Sequence, residues 1–115
     1  MTRRQPDPRL THMRAHAREA IEFTRGRVRA DLDTDRMLTL ALVRLLESVG
    51  EAAARAALET RDQYPGIPWP QIVGLRNRLI HEYHEIDLDI VWTVTTRDLP
   101  ALLSELERAD TQGPA

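Results

Sequence analysis

Apolar residues recur along this chain at helical spacing and nowhere alternate over a useful length, which confines it to an all-α fold. The clearest stripe, Leu38, Leu42, Leu45, Val49, Ala52, Ala53 and Ala56, predicts one long helix from about Asp35 to Thr60. A second set, Met37, Ala41, Leu46 and Ala57, widens the apolar arc beyond what one neighbouring helix covers. It points to two packing contacts, one of which another subunit can supply. Gly50 sits inside this helix at a cost of about 1 kcal/mol relative to alanine, so close backbone packing is expected there. On the opposite side Arg44, Glu47, Glu51 and Arg55 read as a solvated face, with Glu51 and Arg55 in the favourable i,i+4 order.

Punctuation places the other helices. Asp7-Pro8 offers an N-cap followed by proline at the first helical position, opening a helix that carries Leu10, Met13, Ala17, Ala20, Ile21 and, past the weakening Gly26, Val28. Residues 30–34 read as a polar turn, with Asp33 or Thr34 capping the long helix. Tyr64-Pro65-Gly66-Ile67-Pro68-Trp69-Pro70 must break that helix, and Pro70 suits the first turn of a third, with Ile72, Val73, Leu75, Leu79 and Ile80 as its apolar side. A last helix starts near Asp87 and is bent or restarted at Asp98-Leu99-Pro100. The expected architecture is an up-and-down bundle of four or five helices, a single domain over residues 1–115 with a flexible tail at 1–8 and a frayed end at 110–115.

Composition removes several functions. At 115 residues the chain matches one domain, against a multidomain enzyme with separate lobes. Without cysteine it has no disulfide framework, thiolate zinc site or cysteine nucleophile, which fits a reducing compartment. Its apolar runs fall far below the roughly 20 residues of a transmembrane helix, and residues 1–9 lack a signal peptide's apolar core, so a soluble cytoplasmic protein is expected. The net charge of -2 does not mark a globally cationic nucleic-acid binder. All 16 basic residues are nonetheless arginine, which grips phosphate bidentately, although a genome-wide composition bias yields the same pattern.

Chemistry concentrates in Arg76-Asn77-Arg78-Leu79-Ile80-His81-Glu82-Tyr83. Attack at a phosphodiester wants such a set: arginine stabilises charge developing on phosphoryl oxygens, histidine moves protons near neutral pH, and RNA supplies its own nucleophile in the 2′-hydroxyl. On composition alone the signal is weak, because an Arg and a His on a polar helix edge are more often a surface pair than a catalytic one. His12 and His16 stand at i,i+4 but lack a third ligand nearby, and read as surface residues. Trp69 and Trp92 read as core or interface residues, and there is no Gly-rich phosphate loop.

RNRLIHEY resembles the Arg-X4-His-X-Tyr motif of the HepT-like ribonuclease toxins, a branch of the HEPN superfamily. The surroundings are similar too, over roughly residues 10–108: Leu45 to Ala52 in the long helix, Tyr64 to Trp69, Gly74-Leu75, Asp87-Leu88, Val91-Trp92 and Asp98-Leu99-Pro100. The resemblance implies a homodimeric HEPN-like helical bundle that cleaves RNA, such as tRNA or mRNA, without metal or other cofactor. It also implies a minimal nucleotidyltransferase antitoxin as partner, in a type VII-like toxin–antitoxin system. By motif, Arg76 and His81 take the catalytic positions and Asn77 a supporting one, while Tyr83 falls where the partner attaches AMP and silences the toxin. Added phosphate and bulk beside a cationic site would repel RNA. Glu47, Glu51 and Arg78 are candidate cleft residues.

Glu82 and His84 flank Tyr83 where relatives often carry a small and an apolar residue, making the site more acidic than usual. Residues five apart on an ideal helix lie about 140° apart, so Arg76 and His81 share a site only if the helix ends near Ile80 or another subunit completes it. Asn77 and His81 would be neighbours, and Arg76 and Tyr83 would share a side, on a continuous helix. The rival readings are a non-catalytic module that binds nucleotide or holds a nucleotidyltransferase, and a structural dimerisation bundle.

Overall fold

Aspartates cap the starts of three of the helices. The computed structural model describes residues 7–80 and 85–112, with side chains through 109. Helix α1, Pro8–Thr24, starts where the Asp7 carboxylate accepts from the Arg9 N–H at 2.9 Å with proline at its first position, and it buries Leu10, Met13, Ala17 and Ala20. Asp7 and Pro8 therefore belong to the helix start, and residues 1–6 lie outside the described residues. Gly26, with φ of 73°, turns the chain off the helix axis in the left-handed region that favours glycine, so Val28 is 61% exposed and does not continue the stripe as expected.

The expected turn at 30–34 contains a short helix, α2, Asp31–Thr34. The cap of the next helix, α3, Arg36–Arg55, is Asp35 instead of Asp33 or Thr34, its carboxylate accepting from the Leu38 N–H at 3.0 Å. Helix α3 is the spine, packed along α1 and burying Leu38, Leu42, Val43, Leu45, Leu46, Val49, Ala52 and Ala53. Of the second set, Leu46 is fully buried, Ala41 half-buried, and Met37 and Ala57 exposed.

The long helix stops at Arg55, short of the expected Thr60, because tertiary contacts break it. Ala56 is extended, with ψ of 138°, and the Arg61 guanidinium donates to the carbonyls of Ala53 and Ala54 at 3.0 and 2.9 Å. The Asp7 carboxylate accepts from the Ala57 N–H at 3.2 Å and the Thr60 hydroxyl at 2.8 Å, tying the break to the start of α1. Helix α4, Leu58–Gln63, leads into the proline-rich turn, where the Tyr64 carbonyl accepts from the Ile67 N–H and from the Trp69 indole at 3.2 and 3.1 Å. Arg61 lies 5.9 Å from the Trp69 ring centre.

The third helix is divided at Gly74 into α5, Trp69–Val73, and α6, Leu75–Leu79. Its corner sits on Gly50: a Cβ there would meet the Ile72 carbonyl oxygen at 2.9 Å and the Leu75 Cβ at 3.6 Å. This is the close backbone approach that a glycine inside α3 implied. After α6, Ile80 is extended and forms an antiparallel bridge with Ile86, and the Asp87 N–H donates to the Leu79 carbonyl at 2.8 Å.

Helix α7, Leu88–Thr93, is capped by Asp87 and runs through a π turn, Val94–Asp98, into α8, Leu99–Gln112. The expected bend at Asp98-Leu99-Pro100 takes this form because Pro100 has no N–H and its ring would clash with a carbonyl four residues back in an uninterrupted helix. The Leu99 N–H reaches back five residues to Val94. The wider turn puts Leu99, 1% exposed, on the buried face and leaves the Asp98 carboxylate outside. Residues 113–115 lie outside the described residues. Among the described residues Ile80–Ile86 is the only β pairing, and the fold is an all-α, HEPN-like bundle around Met13, Leu42, Leu46, Val49, Leu79, Val91 and Leu106. Among the described residues no helix is long and apolar enough to cross a membrane.

Candidate active site

Helix α6 is pinned by Leu75 and Leu79, both buried, which leaves Arg76, Asn77 and Arg78 in solvent. Because Gly50 lets the α5–α6 corner approach α3 closely, Arg76 comes alongside Glu47, one turn away on the same helix. The Arg76 Nε lies 3.9 Å from a Glu47 carboxylate oxygen; Arg76 is 75% exposed and Glu47 28%. At that distance the pair is an ion contact without a direct hydrogen bond, so the contact with Glu47 leaves the guanidinium donors open to solvent. The carboxylate orients the arginine without consuming it.

The other candidate cleft residues separate. Glu51 pairs with Arg55 at 2.8 Å along α3, as its i,i+4 spacing predicts, and not with Arg76. Arg78 leaves the far side of α6, its guanidinium 3.7 Å from the Asp98 carboxylate in the π turn. Asn77 is exposed, with its backbone N–H donating to the Gly74 carbonyl at 3.1 Å. His81 and Tyr83, with Glu82 and His84, lie outside the described residues. The helix that carries Arg76 ends at Leu79, so the opposition expected of Arg76 and His81 on a continuous helix does not arise. The neighbour relations drawn for Asn77 with His81 and Arg76 with Tyr83 lose their basis for the same reason.

His12 is exposed and His16 half-buried on α1, and among the described residues no three His, Cys, Asp or Glu side chains gather as a metal site. Trp69 is buried and Trp92 packs half-buried against the core. Sequence reasoning missed Arg97 and the groove it borders, described below; the signal was Pro100, which forces the wide turn that carries Arg97.

Comparison with known proteins finds matches over most of the chain. A family model described as ribonuclease HepT-like matches residues 13–109. A Methanocaldococcus jannaschii protein provisionally named an RNase is 34% identical over 107 residues, 93% of this chain and 98% of the relative. A Caldanaerobacter subterraneus protein with the same provisional name is 34% identical over 102 residues, 89% of this chain and 91% of the relative. A Thermococcus cleftensis protein provisionally named ribonuclease HepT is 34% identical over 95 residues, covering 82% and 86%. No solved structure matches the chain significantly.

Proposed function

Since this chain belongs to the HepT-like ribonuclease family, we propose that it is a metal-independent endoribonuclease toxin whose catalytic residues are Arg76 and His81. The observation that carries the reading is the exposed Arg76 guanidinium, held beside Glu47 at the last turn before α6 ends. His81 takes the proton of the 2′-hydroxyl as its oxygen attacks phosphorus, or delivers a proton to the departing 5′-oxygen. Arg76 stabilises the negative charge of the pentacoordinate phosphorane. The P–O5′ bond breaks, leaving a 2′,3′-cyclic phosphate and a 5′-hydroxyl. Asn77, exposed beside Arg76, orients the imidazole or a phosphate oxygen.

The same reading includes a homodimer and a nucleotidyltransferase antitoxin that attaches AMP to Tyr83. Support for the dimer is the pair Met37, 84% exposed, and Leu40, 45% exposed, one turn apart on α3. Support for the modification is charge: AMP two residues beyond His81 sets a phosphate against the arginine that must receive the RNA phosphate.

The test is cleavage of a tRNA and mRNA mixture in EDTA by the wild type, Arg76→Ala and His81→Ala, after circular dichroism shows that all three fold alike. Cleavage by the wild type alone, with 5′-hydroxyl ends, is expected. Products with 5′-phosphate ends would overturn the mechanism, and undiminished cutting by either variant would remove that residue from it. Intact mass after co-expression with the neighbouring nucleotidyltransferase gene reads the modification, which must disappear in Tyr83→Phe.

A further inference from the structure

On the side of α6 away from Glu47, a groove of about 570 Å³ runs between the α5–α6 corner and the segment formed by the π turn and the start of α8. Its volume lies in the range of small-ligand sites, roughly 300–1,000 Å³. Ile72, Leu75, Val94, Leu99 and Leu102 line it and are each at most 5% exposed, so its floor is apolar and built into the core. Gln71, Arg78 and Arg97 reach its rim, with Asp98 and Glu105.

The rim carries two arginines and two carboxylates, and they are not all paired with one another. Asp98 is engaged by Arg78 at 3.7 Å, and Glu105 by Arg108 at 2.7 Å. Arg97 makes no ion pair among the described residues and is exposed. An apolar slot bordered by a guanidinium without an ion pair among the described residues, a second arginine on its opposite wall and an amide matches a flat ring carrying an anion. The ring lies on the aliphatic floor or stacks on a guanidinium plane, Gln71 meets its polar edge, and Arg97 takes the phosphate. Arg76 and Arg78 leave opposite sides of a helix about 10 Å across. A strand crossing the end of α6 thus passes from the Arg76–Glu47 contact to the groove.

We propose that this groove receives one unpaired nucleotide of the RNA, with its base on the Ile72–Leu75–Leu102 floor and its phosphate on Arg97, and so sets which sequence is cut. The inference rests on the ribonuclease reading above and adds a specificity subsite to it. Arg97 is a binding residue here and is none of those assigned to the chemistry.

The experiment uses Arg97→Ala and Ala101→Trp, both at exposed groove positions, the second filling the groove. Calorimetry with each of the four nucleoside monophosphates in EDTA reads binding directly, and kcat and KM are measured on a defined oligoribonucleotide. Expected are one monophosphate per chain with one base favoured, at least tenfold weaker binding in both variants, and a KM raised about tenfold at unchanged kcat, as the loss of one stacked base implies. No monophosphate binding by the wild type, or binding and KM unaltered in both variants, would overturn the groove while leaving wild-type cleavage intact. A change of oligomeric state in Ala101→Trp, read by light scattering, would also overturn it, assigning the groove to a second copy. Groove-dependent monophosphate binding by a wild type that cuts no RNA would sink the ribonuclease reading and leave the nucleotide site standing.

Discussion

Replacing Gly50 by alanine tests how Arg76 is placed. In an exposed helix this change stabilises by about 1 kcal/mol, because alanine is the better helix former. Here the added Cβ would stand 2.9 Å from the Ile72 carbonyl oxygen, half an ångström inside ordinary van der Waals contact. The obstacle is backbone, and the same carbonyl accepts the Gly74 N–H at the α5–α6 corner, so relief requires the corner to lift. Overpacking of this kind costs about 1–3 kcal/mol, and after the helix gain a net loss of about 1 kcal/mol remains. For a domain of this size that lowers the melting temperature by roughly 4 °C. The informative control is Gly26→Ala, which costs about 1–2 kcal/mol through its left-handed φ of 73° but has open space around it, far from α6. Thermal melts and ribonuclease rates well below melting should show both variants destabilised and only Gly50→Ala slowed in cleavage. A Gly50→Ala protein as stable as the wild type, or one that cuts RNA as fast, would refute the argument that this contact sets the reach between Arg76 and Glu47.

Other perturbations address the joints of the fold. Burial raises the Asp7 pKa, but the Arg9 N–H, the Thr60 hydroxyl and the Ala57 N–H together outweigh it and hold the carboxyl below its usual range. Its contribution is therefore present above about pH 4 and is lost as pH falls through the lowered folded value, so Asp7→Asn should flatten the acid limb of stability measured by denaturant titration. Arg61→Met keeps the apolar stem but removes the donors to Ala53 and Ala54 and the charge over Trp69, and should cost about 1–2 kcal/mol in urea unfolding. Met37→Glu places a charge at an exposed position of α3; it should convert a dimer to monomer in light scattering without lowering the secondary structure read by circular dichroism.

What was legible in the sequence is what local chemistry decides. The stripe of α3, the Asp7-Pro8 start and the meaning of Gly50 are each written in residue types and spacing, and the folded chain keeps them. The stop at Arg55 was not legible: Ala52 to Leu58 contains no breaker, and the helix ends because Arg61 and Asp7, distant in the chain, capture the freed backbone groups. The site shows the same division. Arg76 was readable from its motif, and Glu47 as its neighbour was one option on a polar face. That Glu51 turns instead to Arg55, and Arg78 to Asp98, depends on how α6 is rotated over α3 and on the π turn. The rotation is not encoded within a few residues of the side chains concerned, although Pro100 marks the turn beside Asp98.

The π turn also bears on how such a chain can vary in length. A wide turn is one residue more than an α-helix needs, so Val94–Asp98 behaves as a stored insertion between two helical segments that are phased separately. Removing one residue there, with Pro100 changed to alanine, would let α7 and α8 join as one helix and keep the apolar side of each inward. What such a deletion alters is Arg97 and Asp98, carried on the wide turn itself. Such a pair of changes can therefore redraw the rim of the groove while the core retains its packing.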